Sequence, residues 1–209
     1  MAGNIGPSGR RSYLDSALGH AYRCSVLDAS EGGTLIASSP FLLVFRFVHI
    51  ITGALWFGSA FLFALFVGPS AAKVGPAAGP MLHVLVKERK AAKVIKWLAI
   101  VAVSAGWIMW LYHANRAGLS AWWDLTQAKV LLLGGILATI AMFEGLHGVG
   151  NNVEKMVDIG DGIAASGGPP TPEQGAEMQR LGAAIQKASK IDLALLFFAV
   201  ACMATARYW

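Results

Sequence analysis

The stretch 41–69, FLLVFRFVHIITGALWFGSAFLFALFVGP, contains an apolar run from about 47 to 67. That is the length needed to cross a bilayer, because about 20 residues at 1.5 Å rise span the roughly 30 Å hydrocarbon layer. Arg46 and His49 sit in this span, and each costs free energy there unless it faces the protein interior or finds a partner. Further apolar runs follow at 91–113, 125–148 and 191–208. A backbone in lipid must satisfy its own hydrogen bonds, so these runs predict an all-α fold, a four-helix transmembrane bundle. The composition agrees: 56% of residues are hydrophobic and only 14% charged.

Lys and Arg near span ends set the orientation. The connection between the first and second spans carries Lys73, Lys87, Arg89, Lys90, Lys93 and Lys96, that between the second and third only Arg116. Lys155, Arg180, Lys187 and Lys190 follow the third span. Both long connections are therefore expected in the cytoplasm of a bacterial inner membrane, with the N- and C-termini outside. The basic balance suits contact with anionic lipid, and nothing calls for nucleic acid. Cys24 and Cys202 are the two cysteines, which indicates no disulfide framework.

Residues 1–40 are rich in Gly and Ser and read as a flexible segment, without the hydrophobic core of a cleaved signal peptide. The chain is expected to turn in the Gly/Pro/Ala stretch that ends at Gly79-Pro80. From Met81 the pattern reads as one unbroken helix into the second span. Trp107, Trp110, Tyr112, Trp122, Trp123, Tyr208 and Trp209 map to one membrane face as an interfacial belt. The third span is expected to fray at 148–152, and Gly134-Gly135 within it to mark a close helix contact. Thr171, Pro172 and Gln174 form a helix-start signature. Met178, Leu181, Ile185 and Ala188 then recur at helical spacing. The second and fourth spans are thus expected to extend together as cytoplasmic helices, with a membrane-surface helix as the rival arrangement.

Threading the spans in alternating directions gathers polar residues in the outer third of the bundle: Arg46 and His49, Met109 and His113, Asp124, Gln127 and Lys129, Cys202 and Arg207. One reading is a b-type haem held by His49, with Met109 or His113 as second axial ligand and Arg46 or Lys129 near the propionates. Gly53, one turn from His49, would let a flat group approach the backbone. His49 and His113 differ in depth by roughly 12 Å at 1.5 Å per residue, which favours Met109. The bland reading is that His49 donates to a carbonyl of the second or third helix while Arg46 and Lys129 snorkel. Copper is the rival metal, since His49, Met109 and Cys202 offer imidazole, thioether and thiol. Glu144 and His147 have the spacing of di-iron carboxylate bundles, but a second such pair is missing, so Glu144 is expected to meet a lysine or cap its span.

The segments RFVHIITGALWFGSAFLFALFVGPSAAKVGPAAGPML, SAGWIMWLYH and MATARYW resemble an uncharacterised bacterial four-span family over residues 41–209. More distantly, FRFVHIITGALWFGSAF, ERKAAKVIKWLAI with Gly106, and Lys129 resemble copper-resistance-D-type and membrane protoporphyrinogen-oxidase-type proteins. The oxidase likeness implies b-haem on His49 and a role for Lys129; the copper-resistance likeness implies copper handling. LFALFVGPSA departs from the polar, histidine-containing continuation of the oxidases. A non-catalytic accessory subunit of a larger membrane complex, or a homo-oligomer, packed through Gly53, Gly106 and Gly134-Gly135, is the alternative class.

Overall fold

A computed structural model of the chain describes residues 40–208. The expectations for the N-terminal segment, Cys24 among them, lie outside these residues. The chain divides into two compact units, Met1–Val44 and Phe45–Trp209. Of the first unit only residues 40–44 are described, and the helices beyond them all belong to the second.

Helix α1 (Pro40–Leu62) continues through a π-helical stretch, Phe63–Val67, into α2 (Gly68–Val74). A 3-10 turn, Gly75–Ala78, leads to α3 (Gly79–His83) and a second π-helical stretch, Val84–Glu88. Then come α4 (Ala91–Ala117), α5 (Leu119–Asp124) and α6 (Thr126–Glu144). A third π-helical stretch, Gly145–Gly150, joins α6 to α7 (Asn151–Ser166), and α8 (Pro172–Thr205) ends in a 3-10 turn, Ala206–Tyr208. Four helical stretches are long and apolar enough to cross a membrane, and no strand occurs among the described residues. The four-helix transmembrane bundle is thus the fold, and its apolar helices suit contact with the lipid bilayer.

Alanine builds the core. Trp56 of α1 is buried with Ala99, Ala102 and Val103 of α4, Ala138 and Ala141 of α6, and Leu196 and Ala199 of α8. Lipid supplies no hydrophobic drive for helices to associate, so small side chains that let backbones approach gain van der Waals contact instead. Gly134 shows how close: a Cβ there would lie 3.1 Å from Cys202 Cβ and 3.2 Å from the Ala199 carbonyl. Gly135 faces Trp107, whose indole N–H donates to Thr139 at 3.0 Å. The glycine pair is a packing contact, as expected.

Three local expectations are corrected. The helix does not run unbroken from Met81 into the second span; it stops at Arg89-Lys90, where Lys90 adopts a left-handed conformation at φ 54°. The preceding segment is held elsewhere, by His83 to Asp161 at 2.7 Å and Lys87 to Asp158 at 2.5 Å, both on α7. The third span does not fray at 148–152 but continues to Ser166 and ends at Gly167, in the left-handed conformation. Asn152 donates to the Gly148 carbonyl at 2.7 Å, and α7 packs on α8. That packing overrides the weak helix propensity of the glycines. The partner of the polar half of α8 is consequently α7, and α4 contributes no extension. At the start of α8 the expected capping box is present, with Thr171 and Gln174 exchanging hydrogen bonds at 2.9 and 3.3 Å.

Candidate functional site

His49 is seated on α4. Its Nδ1 lies 2.7 Å from the Ala102 carbonyl oxygen. A carbonyl oxygen can only accept, so Nδ1 carries the proton, and in the neutral ring Nε2 keeps its lone pair. The ring rests on Gly106, where a Cβ would stand 2.9 Å from His49 Cε1 and 3.2 Å from Nδ1. Only glycine admits this approach. The seat falls near the middle of α4, deeper than the outer third expected from threading.

At about 100° per residue, Ala102, Gly106, Met109 and His113 share one face of α4. Arg46, one turn outward of His49 on α1, is exposed and lies within electrostatic reach of His113. Met109 and His113 thus lie on the face of α4 that carries the His49 seat, one and two turns outward of Gly106. His113 is committed elsewhere: its ring stacks on Trp122 at 5.5 Å and 17°, beside Trp110. It lies seven residues beyond Gly106, about 10 Å along the helix, so sharing an iron with His49 would require it to leave Trp122. Met109 is a turn nearer.

The other candidates do not join them. Cys202 packs its Cβ against Gly134 in the α6–α8 seam, so the thiol and imidazole of the copper set occupy separate seams. Lys129 is exposed on α6, next to the fully buried Ala128 whose carbonyl accepts from Trp110 at 3.2 Å. Asp124 and Gln127 are exposed, and Arg207 lies over the Tyr208 ring. Among the described residues no group of three or more His, Cys, Asp or Glu side chains gathers to hold a metal.

A shallow 360 Å³ recess on the surface of α4 is lined by Lys90, Lys93, Trp97, Leu98 and Val101, with Thr52 of α1 at its edge, and His49 does not line it. A Cβ at Gly53 would touch nothing within 4 Å, so that face of α1 is open. No protein-family model, curated protein or solved structure matches this chain. Its resemblances therefore rest on the motifs of its own spans.

One buried polar residue carries no motif of its own. Asp192 of α8 is 6% exposed, and its Oδ1 has no hydrogen-bond partner. Its signal in the sequence is a lone carboxylate inside the apolar run IDLALLFFAV. Glu144 meets no lysine: among the described residues it has no ion pair.

Proposed function

We propose that this chain is a small membrane redox protein that carries b-type haem on His49 Nε2. The supporting observation is the 2.7 Å bond from Nδ1 to the Ala102 carbonyl. Ligating histidines are commonly fixed in this way, because the bond sets the tautomer, orients the ring and raises the basicity of the other nitrogen. Haem would supply one-electron chemistry; the protein holds and orients it. Met109 would be the favoured second residue to hold the iron, and otherwise His49 would hold it alone. Arg46, one turn outward, is placed to pair with a propionate. The basic connections face the cytoplasm of a bacterial inner membrane in this reading.

An accessory or assembly subunit is the second reading, and the sparse burial of α1 favours it. Its span is the least buried of the four, and Phe47, Ile50, Ile51 and Leu55 are exposed. In a free-standing protein lipid covers that face; in a complex another subunit does. Absorption spectra of detergent-purified protein, oxidised and dithionite-reduced, test the haem reading beside His49→Ala. A Soret band and b-type reduced peaks in the wild type, lost in the variant, are expected. A featureless spectrum after expression with ample haem refutes haem binding, and metal analysis then decides between copper handling and a bundle without cofactor.

A further inference from the structure

The π-helical stretch Gly145–Gly150 lies against α8 where Asp192 is buried. A Cβ at Gly145 would stand 3.6 and 3.7 Å from the two Asp192 carboxyl oxygens, so the missing side chain lets the carboxyl lie against the helix. A Cβ at Gly148 would stand 2.8 Å from Glu144 Oε1 and 2.9 Å from Ala188 Cβ. The Glu144 carboxyl therefore folds back over Gly148 toward α8, and Ala188 is one turn from Asp192. Two carboxyls thus converge on a seam made narrow by glycine and alanine.

Counter-charge is missing from it. His147, on the same π-helical stretch, is exposed, with its ring stacked on Phe143 and its Nδ1 3.5 Å from Asn151. Lys187 and Lys190 of α8, and Lys93 and Lys96 of α4, are exposed, and none forms an ion pair among the described residues. On α7, Asp158 and Asp161 are engaged by Lys87 and His83, and Glu154 and Lys155 are exposed. The π-helical stretch of α1, Phe63–Val67, which also touches α8, carries no titratable side chain. A buried carboxylate with an orphaned oxygen beside a second carboxylate is strongly disfavoured unless one positive charge is taken up. Two carboxyls are too few oxygens for calcium or magnesium, which leaves the proton.

We propose that Asp192 and Glu144 form a proton-binding site that holds one proton between them across the α6–α8 seam. Loading takes one proton from the medium and changes the charge of the pair from −2 to −1. The site does not involve His49 and stands independently of haem.

Infrared difference spectroscopy of the detergent-purified full chain tests this, titrated between pH 5 and 9 in the carboxylic-acid C=O region. One acid C=O signal should be present in the wild type and vanish as pH rises. Asp192→Asn should abolish it. Glu144→Gln should move its midpoint to lower pH, because the neighbouring negative charge is gone. A signal that persists in Asp192→Asn, or an unmoved midpoint in Glu144→Gln, overturns the proposal. Sodium replacing choline at fixed pH should change nothing; loss of the signal on adding sodium would make the ligand a metal cation and overturn the proton. If Asp192→Asn does not fold, the Glu144→Gln midpoint alone decides.

Discussion

Gly106→Ala probes the contact on which the His49 seat depends. The new Cβ would stand 2.9 Å from His49 Cε1, roughly 0.6 Å or more inside an ordinary carbon–carbon contact. The ring cannot simply swing away, because Nδ1 is tied to the Ala102 carbonyl at 2.7 Å. Either α1 and α4 separate, an overpacking cost of about 1–3 kcal/mol, or the hydrogen bond breaks as well, at about 1 kcal/mol. Replacing a helical glycine by alanine returns about 1 kcal/mol of backbone propensity. The net expectation is a destabilisation of about 0–3 kcal/mol. Denaturant unfolding in detergent, followed by circular dichroism, measures it. In a His49→Ala background the clash disappears, and Gly106→Ala should be neutral or stabilising by up to about 1 kcal/mol. The two substitutions should therefore couple by about 1–4 kcal/mol, beyond the roughly 0.5 kcal/mol scatter of independent sites. Gly53→Ala, with open space around its Cβ, serves as the uncoupled control. Equal effects of Gly106→Ala with and without His49 would refute the seat.

Thr171→Ala removes the hydroxyl half of the α8 capping box, the bond that Gln174 N–H donates to Thr171 Oγ1, and should cost about 0.5–2 kcal/mol of local helix stability, read as faster amide hydrogen exchange over the first turn of α8. Asp158→Asn with Asp161→Asn should release the segment that His83 and Lys87 tie to α7. Trypsin should then cut faster at the exposed Arg89-Lys90 break, while the helical content stays unchanged.

Hydropathy makes the four spans legible because lipid leaves a backbone few alternatives, and the start of α8 is legible because a capping box is a contact between residues three apart. What escapes a reading of the sequence depends on contacts between distant residues. Nothing local marks Lys90 for the left-handed conformation: no glycine or proline stands at 89–91, and the break follows from His83 and Lys87 binding α7. The glycines at 148 and 150 read as a helix end, yet Gly148, with Gly145 before it, serves a close approach to α8. His49 stands out in its apolar run, but its pairing with Gly106 and Ala102 depends on how α1 meets α4. Asp192 is visible as a charge in an apolar run, while Glu144 as its neighbour is not.

The π-helical stretch between α6 and α7 also sets the phase of everything after it. A π turn accommodates one residue more than an α turn. Glu154, Asp158 and Asp161 share a face of α7 at helical spacing, and that face meets the segment after α1 only because of this extra residue. Deleting one residue within 145–150 would restore the α-helical pitch and turn the acidic face by about 100°. His83 and Lys87 would lose their carboxylates while the membrane spans kept their lengths. Point substitutions on α7 are thus easier to absorb than an insertion or deletion a turn or two before it, and natural variation in length should avoid this stretch and collect in the 167–171 linker.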